Sequence, residues 1–308
     1  MVELKIELPK GYLDEEIRCG YKITRKMKEV WAVELDLLVE LLRVCNKHGI
    51  KVFASGGTML GAVRHNGFIP WDDDIDMMMF RDDYEKLCRV AKTEFTEPYF
   101  FQTEYTDRGS LKGHAQLRNS PTTGKLKYEQ EHHYAYNQGI FIDIFPLDNV
   151  VDDIQKFENQ GKDAIKHKNK ALKCAEFSTR YIPSKNPIKR FLKAFIYRFF
   201  GEFFKEQSLK HYELFERECK KYNNIRNTEY VSSLTFQFHN RNHFKLRRDY
   251  EELIDLPFEF ITIPVGSRYD EALRKRYGNY HEYLVDGNCH GNIYFDVNNS
   301  YNCNKVKG

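Results

Sequence analysis

Residues 67–80 read GFIPWDDDIDMMMF, and the reading of this stretch decides the fold. Four aspartates, Asp72, Asp73, Asp74 and Asp76, press against an apolar run. Like charges this close repel, and burying carboxylates is costly unless a cation offsets them. In a strand, side chains at alternate positions share a face. A strand from Asp72 to Phe80 therefore aims Asp72, Asp74 and Asp76 one way, and Ile75, Met77 and Met79 the other way, into a core. Such a row of oxygens suits a hard divalent cation, Mg²⁺ or Mn²⁺. The commoner fate of adjacent aspartates is a solvated acidic turn. A calcium loop fits worse: an EF-hand needs Gly where Met77 stands and Glu where Asp83 stands.

On either side of this run the chain alternates between helical and strand patterns. Thr24 to His48 carries apolar residues at helical spacing, with Thr24 as N-cap and Gly49 as stop. IKVFASGG then forms a short strand into a glycine turn, which opens a short helix, Thr58 to His65. After the acidic strand, Asp82 starts another helix. The next strands are PYFFQTEY, GHAQLRN and GIFIDIF, the last ending at Pro146. This alternation predicts an α/β or α+β domain with a mixed sheet flanked by helices. Residues 1–150 form that core with its N-terminal helix, 151–228 a helical, basic and aromatic region, and 229–308 a C-terminal segment that packs back on the core.

Composition narrows the function classes. With 41% hydrophobic and 30% charged residues, the chain has a globular balance rather than a disordered one. A net charge of +3 is too mild to imply nucleic acid. No window approaches 18 consecutive apolar residues, and MVELKIELPKGYLDEE has no signal-peptide pattern, so the expected compartment is the cytoplasm. Seven cysteines without CxxC spacing read as reduced thiols. Cys289, His290 and Cys303, with His281, offer zinc-ligand side chains, but their spacing matches no familiar zinc site and argues against one.

Three pieces carry chemistry. They are the strand ending in Gly56-Gly57, the Asp74–Asp76 pair, and Asp143, a lone carboxylate in an apolar strand. A metal shared by all three carboxylates gives Asp143 a reason to be there. Backbone N–H groups at a glycine turn opening a helix cradle phosphate oxygens. Together these describe a phosphoryl or nucleotidyl transfer site, in which a carboxylate orients or deprotonates the attacking hydroxyl. Arg64 is either a bidentate phosphate ligand or a surface arginine. For Lys112, Arg118 and Arg241, solvation is the safer reading than donor contact. His132, His133, His239 and His290 tempt as acid–base groups, but a metal-assisted transfer does not require them.

GGTMLGAVRHNGFIPWDDDIDMMMFRDDYEKL resembles the signature of the LicD family of phosphocholine transferases, with its fukutin-related relatives. FIDIFPLD and YDEALRKRYGNYHEYL are similar to that family's later motifs, so the resemblance spans residues 55 to about 284. It implies a nucleotidyltransferase-like sheet and transfer of a phospho-alcohol from a CDP-alcohol to a hydroxyl of a glycan or its lipid-linked precursor, releasing CMP. Matched by position, Asp74 and Asp76 are the metal pair, and Asp143 is the third carboxylate, as general base or further metal ligand. Gly56, Gly57 and Thr58 are the turn that meets the donor diphosphate. The loop RHNGFIPWD is expected to shape the donor pocket, with Trp71 as either a stacking platform or core packing. The nearest rival is a nucleotidylyl transferase, because the same carboxylates serve it.

Residues 185–204, KNPIKRFLKAFIYRFFGEFF, place Phe191, Leu192, Phe195, Ile196, Phe199 and Phe203 at helical spacing among Lys and Arg. Such a helix either packs its Phe side chains into a domain interface, the commoner arrangement, or lies as a peripheral contact on an anionic inner membrane face.

Overall fold

The computed structural model describes residues 1–130, 134–178, 186–225, 228–238, 241–283 and 293–302. His132, His133, His239, Cys289, His290, Cys303 and Lys185 lie outside the described residues; His281 is exposed.

Helix α1 (Arg25–His48) is the spine of the core. Thr24 caps it, its hydroxyl accepting from Met27 N at 3.2 Å, and Gly49 ends it at φ 59°, a left-handed turn that favours glycine. Val30 to Leu38 are buried without a break, so the helix is covered on all sides by the sheet and flanking loops. Strand β1 (Phe53–Ala54) and helix α2 (Gly56–His65) follow, then β2 (Asp76–Phe80), α3 (Arg81–Glu94), β3 (Tyr99–Gln102), β4 (Ala115–Asn119) and β5 (Ile140–Asn149). Beyond these come α4 (Ile154–Ser178), α5 (Pro187–Cys219), β6 (Tyr230–Ser232), β7 (Lys245–Leu246) and α6 (Tyr269–Tyr277). The result is the mixed α+β arrangement that the alternating patterns predict.

The seven strands β1–β7 make one mixed sheet around β5. Its first half pairs antiparallel with β4, its middle parallel with β2, and its last residues antiparallel with β6. This strand runs three residues past its expected end at Pro146. Asp143 N donates to Ile75 O, so residue 146, three positions on, turns toward the opposite edge. There β4 has already ended at residue 144 and β6 begins only at 148, so no partner strand needs the N–H that proline lacks. A bidentate ion pair ties the far end of β5 to α3: Arg81 donates to both oxygens of Asp148 at 2.8 and 2.7 Å, fully inside the protein.

Two expectations change. The acidic strand begins at Asp76 rather than Asp72, because only residues from 76 onward find partners in β1 and β5. The alternation nevertheless persists, with Ile75, Met77 and Met79 fully buried and Asp72, Asp74 and Asp76 half-buried. The Phe side chains of 191–203 do not pack into an interface: Phe191, Phe195, Phe199 and Phe203 are all exposed.

Candidate active site

The site is built where α2, β2 and β5 meet. Asp76 and Asp143 sit side by side in the parallel register of β2 and β5, and Gln116 of β4 sits beside Asp143 on its other edge. In-register neighbours share a face, so the three side chains form one row across the sheet. Just ahead of β2, the turn of residues 72–74 gathers ligand oxygens of Asp72, Asp73 and Asp74 within 4.8 Å of one another. A strand would have separated them. Trp31 of α1 fixes this turn from behind, its indole N–H donating to Asp72 O at 3.1 Å.

The two kinds of carboxylate have opposite electrostatics. Burial, together with the charges of Asp76 and Asp72, pushes the Asp74 pKa well above the usual carboxylate range. Burial also acts on Asp143, but His114 Nε2 at 3.0 Å and Gln116 Nε2 at 2.6 Å outweigh it and hold that carboxylate below its ordinary value. Gln116 is in turn gripped by Arg118, which also donates to Gln102 Oε1 and Gly139 O, both at 2.6 Å. His114, Gln116 and Arg118 are alternate residues at β4, so one strand face orients Asp143.

The glycine turn explains itself by close approach. A Cβ on Gly57 would stand 2.5 Å from Asp72 Oδ2, and one on Gly56 would stand 3.3 Å from Asp76 Oδ2 at a backbone φ of +56°. Thr58 Oγ1 accepts from Asp76 N at 2.8 Å, locking α2 to β2. Ser55 stands at the N-cap of α2 but makes no capping bond.

Beside the carboxylates opens a cavity of about 150 Å³, lined on one wall by Ser55, Gly56, Asp76 and Met78. Ser233, Gln237, Lys245 and Arg276 also line it, with the aromatic rings of Phe145, Phe236, Tyr250 and Tyr277. Buried Ser55 Oγ, Ser233 Oγ and Gln237 Oε1 have no hydrogen-bond partner among the described residues. Polar atoms left this way are costly, and a ligand relieves the cost. Lys245 has its pKa lowered to about 8 by burial and by Arg276, with Asp76 opposing and Lys275 reinforcing the shift. Cations crowded like this favour an anion.

The sequence-derived candidates divide accordingly. Asp74 lies close to Asp76, which pairs in register with Asp143, and of the candidates Asp76 and Gly56 line the cavity. Gly57 and Thr58 do not line it: they support the acidic turn and β2. Arg64 is half-buried and does not line the cavity. Its guanidinium donates to Tyr280 O at 2.7 Å and Glu282 O at 3.1 Å, pinning the segment after α6. The loop around Trp71 is a buttress rather than a pocket wall. Phe68 stacks on Trp31 with centroids 4.5 Å apart, Phe68 N donates to Glu259 at 3.1 Å, and Trp71 packs edge-on to Tyr21 and Tyr283. Lys112 and Arg118 are buried rather than solvated, Lys112 against Glu129 at 3.1 Å. Arg241 is exposed beside Glu158.

Sequence reasoning missed Glu34, His114, Gln116, Lys245 and Arg276. Glu34 is the least expected: a carboxylate in the middle of α1, 1% exposed, with Oε2 lacking any partner among the described residues. Burial and the charges of Asp73, Asp72 and Asp143 drive its pKa well up, so it faces the acidic cluster. Its only sequence signal is a charged residue on the apolar face of a helix.

A sequence profile described as "LicD/FKTN/FKRP, nucleotidyltransferase domain" matches residues 49–186. The lipopolysaccharide cholinephosphotransferase LicD of Haemophilus influenzae is 27% identical over 263 residues, covering 82% of this chain and 91% of that protein. An uncharacterized protein of Rickettsia prowazekii is 35% identical over 94 residues, 30% of this chain and 31% of its own. Residues 49–186 thus resemble a LicD-type domain. The profile match contains the glycine turn, the acidic turn, β4 and Asp143, whereas Glu34, Lys245 and Arg276 reach the site from outside it.

Proposed function

We propose that this phosphotransferase of the LicD type transfers phosphocholine, or a similar phospho-alcohol, from a CDP-alcohol to a hydroxyl of a cell-surface glycan such as lipopolysaccharide or its lipid-linked precursor, releasing CMP. The observation that carries this reading is a cavity lined by Asp76, the uncapped start of α2 and the Lys245–Arg276 pair, with the Asp72–Asp74 turn and Asp143 adjoining Asp76. The name of the Haemophilus relative supports choline as the alcohol and lipopolysaccharide as the acceptor.

Each residue has a task. The N–H groups at the start of α2, with Ser55, Lys245 and Arg276, hold the donor diphosphate. The faces of Phe145, Phe236 and Tyr277 suit a quaternary ammonium or a stacked base. Asp143, kept ionised by His114 and Gln116, orients the acceptor hydroxyl and takes its proton. The hydroxyl oxygen bonds to the phosphorus that bears the alcohol, while the bond from that phosphorus to the bridging oxygen breaks and CMP leaves with the electron pair. The all-oxygen set of Asp72, Asp73 and Asp74, with Asp76 beside it and Glu34 Oε2 facing it, fits Mg²⁺ or Mn²⁺. Such an ion would neutralise diphosphate charge. The proposed compartment is the cytoplasm, in keeping with the five free cysteines among the described residues.

The test follows two labels in CDP-choline, one in the choline and one in the cytidine, with lipopolysaccharide as acceptor. Choline label in the acceptor with cytidine label in free CMP is the expected result. Cytidine label in the acceptor would instead establish nucleotidylyl transfer, the rival that uses the same carboxylates.

A further inference from the structure

Helix α5 has two halves with different surroundings. Its C-terminal half is rooted in a core in which Tyr212, Phe215 and Cys219 pack with Phe157 and Ala164 of α4. The last buried side chain toward the helix N-terminus is that of Ser208, whose hydroxyl donates to Ala171 O at 2.9 Å. From there to Ile188 the helix runs on for roughly 30 Å at the helical rise. α4 accompanies it along one side, through the Phe177–Phe204 ring contact at 5.2 Å and the Lys193–Glu176 ion pair at 3.2 Å. No residue from 188 to 200 is buried.

What this arm presents is apolar. Ile188, Phe191, Leu192, Phe195, Phe199 and Phe203 stand at i, i+3, i+4, i+7, i+11 and i+15, one stripe along the helix, each between 47% and 76% exposed. An uncovered stripe of this size on a protein surface marks an interaction face. Its charge says with what. Beyond the Ser208–Ala171 rung, over 172–178 and 186–207, six lysines or arginines (Lys173, Lys189, Arg190, Lys193, Arg198 and Lys205) stand against three carboxylates (Glu176, Glu202 and Glu206), so the arm is net positive. No helix among the described residues is long and apolar enough to cross a membrane. A bare Phe stripe set in a basic arm matches a lipid surface whose headgroups are anionic, with the rings at the acyl boundary and the cations among the phosphates.

We propose that the distal arm of the α4–α5 hairpin docks the protein on an anionic bilayer surface, with the Ile188–Phe203 stripe in the headgroup boundary. This inference stands apart from the reaction proposed above, and its test does not use turnover.

The full chain is floated with vesicles of phosphatidylcholine alone and of an equal mixture of phosphatidylcholine and phosphatidylglycerol. Two variants accompany it: Phe191→Ser/Phe195→Ser/Phe199→Ser, and Lys189→Glu/Arg190→Glu/Arg198→Glu. All six side chains are on the arm, so both variants are expected to melt like the parent. The proposal expects the parent to float with the anionic vesicles, and at least a tenfold weaker association with the neutral ones. Both variants should lose it, and added salt should weaken the parent's binding. Absence of flotation by the parent, or undiminished flotation by the Phe variant, overturns the proposal. So does a parent that is dimeric by light scattering and ignores vesicles, with the Phe variant monomeric, because the stripe is then an interface between copies.

Discussion

Replacing Gly57 by alanine separates the site's chemistry from the stability of the fold. Gly57 has no left-handed backbone requirement, unlike Gly56, so alanine fits the main chain and brings its better helix propensity. The new Cβ stands 2.5 Å from Asp72 Oδ2, where ordinary contact begins at 3.4 Å, so the carboxylate must retreat by about 0.9 Å. The obstructing atom is the end of a side chain, and moving it leaves stability within about 1 kcal/mol of the parent. Asp72 shares its cluster with Asp73 and Asp74, so the displaced oxygen disturbs the ligand set directly. A misplacement on the order of 1 Å at a reacting centre costs roughly 10²-fold in rate. The expected outcome is an unchanged melting temperature with turnover of CDP-choline down by about that factor. The paired control is Gly56→Ala, whose φ of +56° adds strain of about 1–2 kcal/mol, so this variant should melt lower as well as react slowly. A Gly57→Ala protein that turns over at the parental rate would refute the argument that this glycine makes room for a working carboxylate.

Three further outcomes are expected. Asp76→Asn abolishes turnover yet leaves the fold intact or slightly more stable, because one like-charge repulsion on Asp74 is relieved; melting curves with and without Mg²⁺ should also show the parent's ion-dependent gain missing from the variant. Donor affinity falls as pH rises through about 8, where Lys245 loses the charge that grips phosphate. The folded-state pKa of that lysine lies below its unfolded value, so its contribution to stability runs the other way. It is a penalty below about pH 8 that is relieved as pH rises toward the ordinary lysine range, and Lys245→Met should flatten both profiles. Arg81→Met leaves Asp148 buried without its bidentate partner and should cost about 3–5 kcal/mol in chemical denaturation.

What could be read from sequence was local. Helix α1 announces both its ends through Thr24 and Gly49, because capping depends on a few adjacent residues. The alternation of Asp72, Asp74 and Asp76 with Ile75, Met77 and Met79 matches the observed alternation of burial, even where the backbone is not a strand. Strand assignment needs a neighbour, and β5 accepts β2 only from Asp76 onward; ahead of it the turn gathers Asp73 with Asp72 and Asp74, which alternation does not predict. Asp143 was legible because a lone carboxylate in GIFIDIF demands a reason.

The remainder depends on long-range contact. His114 and Gln116 become significant only once β4 lies in register against Asp143. Lys245 and Arg276 are more than a hundred residues from the acidic turn, and nothing in their own segments points to it. The Phe stripe of α5 has the same periodicity whether it faces a core or open solvent, so its pattern could not say what covers it. Arg64 and Trp71 lie in the most distinctive stretch of the sequence, yet their work is to brace the acidic turn and the segment after α6.

The most direct measurement is calorimetric titration of the protein with CDP-choline, CDP-ethanolamine, CDP-glycerol, CDP-ribitol and CTP, each with Mg²⁺ and with EDTA. Binding needs no acceptor, so a missing glycan cannot mask it. Tight, metal-dependent binding of one CDP-alcohol, well above CTP, is the predicted result. Equal binding of CTP and the CDP-alcohols, or binding indifferent to EDTA, would contradict it.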